Sequence, residues 1–207
     1  MTLLRLDVYG VYMGRVIVGA AVSIDGFIAD EHDDPGPIFD WYDNGPIASA
    51  PGDPERTFHM SPASTDYLAR AWSSIGASVI GRHLFDIIDG WEGRPAVGDH
   101  VFVVTHEPPS DWDHPDAPFT FVTTGVADAI GAAKTFAGDR DVSLTAGDLC
   151  GQALELGLVD ELQLALTPVV LGTGVRFFGG YDGQHLLFGD PEVVEGTRVT
   201  HLTYRRR

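Results

Sequence analysis

The chain has 207 residues, with 13 lysines and arginines against 30 aspartates and glutamates, which gives a formal net charge of −17. This balance excludes a nucleic-acid or anionic-membrane surface, since phosphate groups are neutralised by a contiguous basic face. The single cysteine, Cys150, excludes an intrachain disulfide and fits a reducing cytoplasm, and no apolar stretch reaches the ~20 residues of a membrane helix.

The first part of the chain predicts a strand followed by a long loop. Residues 15–22 are apolar and rich in β-branched side chains, as in a strand that is covered on both faces. Residues 1–14 before it predict an N-terminal extension to a single domain at 15–207. The proline-rich segment 31–60 has no clear periodicity, and long loops of this kind often form lids or binding loops.

A helix is predicted to begin at Ser61-Pro62, because serine is a good cap and proline suits the first helical position. Apolar residues then recur at helical spacing, and Gly76 predicts the end of the helix. Residues 77–81 predict a second strand, and a short helix follows from Arg82.

The rest of the chain alternates strands and helices. Strands are predicted at 100–105, 118–124, 141–146 and 161–171, helices at 125–137 and 147–157, and an antiparallel hairpin at 192–205. This order predicts an α/β fold with a mostly parallel sheet, helices on both faces and an antiparallel C-terminal edge. In such sheets ligands bind beyond the carboxyl ends of the strands.

Four segments at or near these strand ends carry a further signal: AAVSIDGFIAD, VIGRHLFD, VFVVTHEPP and LTAGDLCGQALELGLVDELQLALTPVVLGTGVRFF. In this order and spacing, over residues 15–204, they resemble the RibD C-terminal branch of the dihydrofolate reductase-like superfamily. The resemblance implies a three-layer dihydrofolate reductase-like fold. The single Gly147 departs from the two or three glycines that the branch usually has at that turn.

The same resemblance implies a cytoplasmic, NADPH-dependent oxidoreductase. It would pass a hydride to a C=N or C=O group of a small heterocycle, either pterin- or folate-like or a ribosylaminopyrimidine as in riboflavin biosynthesis, and homodimers are common in the branch. The alternative is a non-catalytic nucleotide- or drug-binding protein on the same fold. A metal-dependent hydrolase is disfavoured, because the histidines and aspartates lack metal-ligand spacing, so no metal is expected.

Two strand-to-helix turns are candidates for binding the cofactor phosphates, because N–H groups at helix N-termini bind anions. They are the turns Gly81, Arg82, His83, Leu84 and Ala146, Gly147, Asp148, Leu149. The guanidinium of Arg82 is the candidate partner of the 2′-phosphate; alternatively it pairs with Asp86 at i+4. Asp148 is alternatively a plain N-cap. The resemblance adds Ala21, Thr105 and His106 to the cofactor site.

The candidates on the substrate side begin with Ser23 and Asp25, which follow the first strand. Asp25 is a candidate catalytic group that orients or protonates the substrate; alternatively, Ser-x-Asp-Gly is simply a tight turn with an Asx bond and with Gly26 at the positive-φ position. By the resemblance, Asp66 lies near the position of a pterin-binding carboxylate; alternatively it forms a surface salt bridge with Arg70.

The loop aromatics Phe39, Trp41 and Tyr42 are candidates for a lid over the substrate, with loop packing as the alternative. Trp91 and Trp112 are predicted to be packing residues.

Overall fold

The computed structural model describes residues 14–207, so the predicted extension lies outside the described residues except for Gly14. Gly14 is buried two residues before the first strand begins, and a Cβ added there would lie 1.7 Å from the carbonyl oxygen of Arg140. The fold therefore includes Gly14.

Strands and helices alternate along the described residues. The strands are β1 (Val16–Val22), β2 (Phe27–Ala29), β3 (Ile47–Ser49), β4 (Phe58–Met60), β5 (Ile75–Gly81), β6 (Val101–Val104), β7 (Phe119–Val122), β8 (Asp141–Leu144), β9 (Glu161–Leu166), β10 (Val175–Arg176), β11 (Glu192–Gly196) and β12 (Val199–Arg205). The helices are α1 (Pro62–Ser73), α2 (Arg82–Ile87), α3 (Asp89–Glu92), α4 (Val126–Ala137) and α5 (Asp148–Glu155), with a 3₁₀ helix at Gly36–Tyr42. Within residues 14–207, no helix is both long enough and apolar enough to cross a bilayer.

Within residues 14–207, eight strands form the central sheet in the order β11-β12-β9-β1-β8-β5-β6-β7. From β9 to β7 all neighbours are parallel, while the hairpin β11–β12 is antiparallel and joins β9 at one edge. The predicted fold class is confirmed. Since the carboxyl ends of parallel strands meet at one edge, the turns after β1, β8, β5 and β6 lie side by side.

The two faces of the sheet are covered by different helices. On one face, α4 and α5 pack against Val18, Val79 and Leu144, all of which are fully buried. On the other face, the 3₁₀ helix and α1 form a smaller apolar cluster that includes Trp41 and Leu68. The predicted arrangement of helices on both faces is therefore present.

Two glycines, Gly76 and Gly196, are required by close packing. α1 ends at Ser73, so the helix end predicted at Gly76 is wrong: Gly76 lies in β5, where an added Cβ would be 2.8 Å from Ala137 Cβ. Gly196 is the last residue of β11, and a Cβ there would lie 2.3 Å from Ser64 Oγ. The hairpin turns after Gly196, with Arg198 in the left-handed region at a φ of 56°.

The segment 31–60 contains more structure than its sequence pattern shows. It holds the 3₁₀ helix and the small antiparallel pair β3–β4. Trp41, at the end of the 3₁₀ helix, is 2% exposed and anchors the segment on the sheet. Tertiary packing thus gives this segment its form, because its local sequence has no periodicity.

Candidate functional site

The four predicted turns meet at the carboxyl edge of the sheet. A Cβ added to Gly81, after β5, would lie 3.7 Å from the Leu149 side chain in the turn after β8. Arg82 Nη1 and Thr105 Oγ1 both donate to the carbonyl oxygen of Glu107, at 2.6 and 2.7 Å. The structure therefore brings the turns after β5, β6 and β8 into contact, as the sequence predicts.

Arg82 already has partners in this structure. Its Nε donates to Asp86 Oδ1 at 2.7 Å, which is the ion pair that the sequence offers as the alternative. Its neighbour His83 is exposed and lies 3.0 Å from Asp33 Oδ1, in the loop that crosses from β2. Leu84 is half-buried and packs its side chain against the apolar cluster of Phe85.

The turn after β6 is closed by the side chain of Thr105. Thr105 is buried, and its hydroxyl accepts from the Glu107 N–H as well as donating to the Glu107 carbonyl. His106 is exposed. The Thr105 hydroxyl is thus engaged within its own turn, whereas His106 is open to a ligand.

The turn after β8 differs from the prediction. Gly147, at a φ of 88°, is the N-cap of α5, so the alternative reading of Asp148 as the cap is wrong; its carboxylate is exposed. The Gly147 N–H donates to the Phe177 carbonyl at 2.9 Å and is not free for phosphate. Ala146 is half-buried and Leu149 lies in the core.

Asp25 holds two loops together. It accepts from Ser23 Oγ at 2.6 Å and from the N–H groups of Gly172 and Leu171 at 2.7 and 3.2 Å. The Ser23 hydroxyl bond, helped by these amides, lowers the pKa of Asp25 below its ordinary value. Asp25 is therefore ionised at neutral pH and acts as an acceptor. The structure favours the turn interpretation over a proton donor.

The sheet face under α1 carries a cavity of about 180 Å³, which we call the α1 cleft. Its floor is the sheet face, and it includes small or polar residues together with the isoleucines Ile17, Ile75 and Ile80 and the ring of His201 in β12. The small or polar residues of the floor are Gly19, Ala21, Ser78, Ser143, Thr145, Gln163 and Ala165. Its cover is largely aromatic: Trp41, Tyr42, Tyr67, Trp72 and Trp91. Gly19 is exposed although it lies in the middle of the sheet, so the cleft is open to solvent.

The aromatic cover is ordered by stacking. Tyr42 stacks on Trp41 with centroids 4.0 Å apart, and Tyr67 stacks on His201 at 4.3 Å. His201 Nε2 lies 3.0 Å from Ser64 Oγ, and burial lowers the pKa of His201 to about 4, so this ring is neutral near pH 7. Among the described residues, Trp41 Nε1 and His201 Nδ1 have no hydrogen-bond partner.

Of the predicted substrate-side residues, the structure places Trp41 and Tyr42 in the cleft, together with Ala21 from the cofactor group. Phe39 is 46% exposed and contacts Tyr42 edge-on from outside the lining. Asp66 is exposed and does not line the cleft, so its prediction as a catalytic carboxylate does not fit its position. Its predicted salt bridge is also absent from the described residues, because Arg70 Nε donates to the Asp66 backbone carbonyl instead.

The sequence of this chain matches the model of the RibD C-terminal domain over residues 15–202. The chain belongs to the RibD C-terminal domain family. The predicted membership of the RibD branch is confirmed. A comparison with curated proteins gave no match.

Solved structures of RibD-like proteins share the fold. One from Shewanella sp. PV-4, provisionally named for riboflavin biosynthesis, is 21% identical with a TM-score of 0.67, covering 93% of this chain and 99% of the other. A pyrimidine reductase-like protein from Corynebacterium diphtheriae is 16% identical with a TM-score of 0.61, over 94% and 92% of the two chains.

A bifunctional enzyme from Thermotoga maritima is also similar to this RibD-family chain. It is a diaminohydroxyphosphoribosylaminopyrimidine deaminase/5-amino-6-(5-phosphoribosylamino)uracil reductase, 13% identical with a TM-score of 0.59. The match covers 94% of this chain and 57% of the Thermotoga chain. At these identities, the structural likenesses establish the fold alone.

Several cleft residues of this RibD-family domain were not predicted as site residues. Tyr67, Ala71 and Trp72 line the cleft and lie on or beside the apolar face of α1, which could have identified them. His201 lies on the same face of β12 as Val199, a signal in the alternation of that strand. Trp91, predicted to be a packing residue, packs against the apolar cluster of Phe85 and also lines the cleft, and Trp112 packs against Phe85 and Phe119.

Trp91 is held in the cleft by an unusual backbone. All four residues of α3 (Asp89–Glu92) have φ values between 46° and 55°, a left-handed turn that costs side-chain-bearing residues energy. Gly90 in this turn is buried, and an added Cβ would lie 2.7 Å from the Phe85 ring. Within residues 14–207, no group of three or more His, Cys, Asp or Glu side chains is placed to hold a metal ion.

Proposed function

We propose that this chain is an NADPH-dependent reductase that passes a hydride to a C=N or C=O group of a small heterocyclic ring. The observation that carries the proposal is the continuity between the strand-end turns and the α1 cleft. Both Ala21, two residues before the turn that begins at Ser23, and Thr145, directly before the turn that begins at Ala146, line the cleft. A ring in the cleft and a cofactor at the strand ends would meet there. Membership of the RibD family and the reductase names of two similar structures support the proposal.

The turn after β5 fits the anionic part of the cofactor. The N–H groups of Arg82, His83 and Leu84 form the first turn of α2, where no carbonyl of the helix can accept from them. The Arg82 guanidinium adds a fixed positive charge that forms paired hydrogen bonds to phosphate. The Asp86 carboxylate and the Glu107 carbonyl oxygen hold the guanidinium at the turn. A bound phosphate could replace either of these acceptors or accept a further hydrogen bond from the guanidinium.

The turn after β8 fits less well, because the Gly147 N–H is occupied and the exposed Asp148 carboxylate would repel phosphate. We therefore assign the phosphate contacts to the turn after β5. Bound NADPH would supply the hydride. The chain itself orients the reacting ring: the stacked pair Trp41–Tyr42 and the floor of the cleft restrict its position and displace water.

The experiment is NADPH binding and oxidation by wild-type protein and by Arg82→Ala, each compared with NADH. We expect Arg82→Ala to weaken NADPH binding by roughly 10- to 100-fold while NADH changes little, because a charged contact to the 2′-phosphate is lost. Arg140→Ala is the matched control. The Arg140 side chain pairs with Asp99 on the surface, and these two residues lie where β8 and β6 begin, at the opposite edge of the sheet from the strand-end turns. Equal losses for both cofactors would contradict the assignment of Arg82.

A second candidate function is a non-catalytic nucleotide- or drug-binding protein on the same fold. The occupied N–H of Gly147 favours it, because one predicted phosphate donor is lost. The same titrations separate the two functions. NADPH binding without NADPH oxidation, across pterins, ribosylaminopyrimidines and quinones, would support the binding protein.

A further inference from the structure

We propose that Arg56 is a positioning residue that holds Trp91 in the wall of the α1 cleft. Arg56 lies in the loop of residues 50–57 between β3 and β4, which we call the β3–β4 loop, whereas Trp91 lies in α3. The inference goes beyond the proposed reductase and stands without it, because it concerns how one wall of the cleft is kept in place. It is carried by a strained turn, by the contacts of one guanidinium group and by a nearly buried carboxylate.

The turn that presents Trp91 has a backbone that side-chain-bearing residues rarely adopt. Asp89, Trp91 and Glu92 have φ values of 46°, 52° and 55°. Consecutive left-handed residues are costly, and they persist only where the surrounding structure holds them. Trp112 holds one end of the turn, because its Nε1 donates to Asp89 Oδ1 at 3.1 Å. The other end, which carries Trp91, requires a second support.

Arg56 provides this support with three contacts from one guanidinium group. Its Nη2 donates to the carbonyl oxygens of Trp91 and Arg94, at 3.1 and 3.0 Å. The same guanidinium lies over the Trp91 ring, with Cζ 5.9 Å from the ring centre, which is within the range of a cation–π contact. A planar group with several donors can reach both carbonyls and the ring at once. Arg56 therefore fixes the backbone and the ring of Trp91 together.

Asp53 keeps the guanidinium of Arg56 in place. The Asp53 side chain is 5% exposed, and its Oδ2 lies 3.4 Å from Arg56 Nη2. The backbone of the β3–β4 loop fixes this geometry, because the Arg56 N–H donates to the Asp53 carbonyl and the Glu55 N–H donates to Asp53 Oδ1, both at 2.9 Å. A carboxylate with so little access to water is costly without a counter-charge. The Asp53 charge therefore draws the Arg56 side chain towards α3.

The start of the β3–β4 loop contacts two more residues of the cleft. A Cβ added to Gly52 would lie 2.0 Å from the Ala96 carbonyl oxygen and 3.2 Å from the Trp72 ring. Trp72, Trp91 and Ala96 all line the α1 cleft. The loop thus packs against one side of the cleft at three of its lining residues, and a loop that moves away releases Trp91.

The experiment follows Trp91 by ¹⁹F NMR of the protein labelled with 5-fluorotryptophan. The chain has four tryptophans, and the resonance that disappears in Trp91→Phe is that of Trp91. We expect Arg56→Met, which keeps an apolar stem and loses the guanidinium, to shift the Trp91 resonance. The resonance of Trp41, which is buried on the opposite side of the cover and stacks on Tyr42, should stay in place.

Amide exchange at Gly93 and Arg94 gives a second readout. Their N–H groups donate to the carbonyls of Gly90 and Trp91 and so close the turn. Loss of two hydrogen bonds from a charged donor should speed this exchange by at least about tenfold in Arg56→Met. Exchange in α4, which packs on the other face of the sheet, should stay as in the wild type.

Two further variants separate Arg56 from its surroundings. Arg94→Met is the matched control, because it removes the ion pairs with Glu55 and Glu92 and keeps the carbonyl to which Arg56 donates. It should leave the Trp91 resonance unchanged. Gly52→Ala keeps Arg56 but forces the β3–β4 loop away from the Ala96 carbonyl, so it should also shift the Trp91 resonance.

An unshifted Trp91 resonance in Arg56→Met would overturn the proposal, as would an equal shift in Arg94→Met. Faster exchange throughout α4 would overturn it too, since Arg56 would then support the whole fold rather than the turn. Should Arg56→Met fail to fold, Gly52→Ala decides: a shifted Trp91 resonance supports the proposal and an unshifted one contradicts it. These measurements use neither NADPH nor substrate, so failure of the reductase proposal and failure of this one are distinguishable.

Discussion

The same strands present a packed face to α4 and α5 and an open face to α1. In β8, Val142 and Leu144 are fully buried under α4, whereas Ser143 between them points into the α1 cleft. In β1, Val18 is fully buried and its neighbour Gly19 is exposed. The packed face supplies apolar burial for stability, and the small and polar residues of the other face leave room for a ligand.

The largest expected effect tests this contrast within one strand. Leu144→Ala should lower the free energy of unfolding by roughly 2–5 kcal/mol, because it leaves a cavity in a close-packed core. Ser143→Ala, one residue away, should change it by less than about 0.5 kcal/mol. Urea unfolding of both variants provides the measurement. Similar losses at the two positions would show that the faces do not differ as described.

A second prediction concerns His201, a buried titratable group on the cleft face. The unfolded chain binds a proton near pH 6.5 and the folded chain only near pH 4, so stability is greatest above pH 6.5 and falls as the pH drops towards 4. The shift corresponds to about 3 kcal/mol over that window.

Urea unfolding at pH 7 and at pH 4 checks this prediction. His201→Gln should reduce the difference between the two pH values. His106→Gln, at an exposed histidine, should leave it unchanged. A pH dependence that is the same in all three proteins would argue that His201 is not buried in its neutral form.

The smallest expected effect concerns the edge that joins the two regions. Asp25→Ala should speed amide exchange at Gly172 and Leu171 by roughly fivefold, because their acceptor is lost. Because the Ser23 hydroxyl bond lowers the pKa of Asp25 below its ordinary value, wild-type protection should decline only at a pH below the range in which an ordinary aspartate titrates.

Asp30→Ala is the matched control, because Asp30 accepts from His32 and Asp34 in a different loop. It should speed exchange there and leave Gly172 unchanged. Unaltered exchange of Gly172 in Asp25→Ala would show that Asp25 does not hold the loop after β9.

Most of the sheet and its parallel order follow from local pattern. Apolar runs such as 15–22 and 77–81, each bounded by a turn or cap signal, correspond to β1 and β5 to within two residues. These signals are local, so the strands can be predicted from the sequence alone. The roles of Gly76 and Gly196 were not readable, because each glycine is required by a residue far along the chain, Ala137 and Ser64 respectively.

The strand-end turns of the candidate site could be predicted from the sequence and the α1 cleft could not, again because local signals can be recognised and contacts between distant residues cannot. The strand-end turns at Gly81, Thr105 and Gly147 are marked by residues that are adjacent in sequence, and the structure brings them together. The α1 cleft joins residues from Ile17 to His201, so no short motif marks it. The exposed position of Asp66 likewise depends on which face of α1 meets the sheet.

The central claim is that a cofactor at the strand ends meets a ring in the α1 cleft, and a crystal structure of the protein with NADPH tests it most directly. We expect the 2′-phosphate at Arg82 and the nicotinamide beside Ala21 and Thr145, where the cleft reaches the strand ends. A dinucleotide bound elsewhere on the surface, or a nicotinamide with no access to the cleft, would contradict the account.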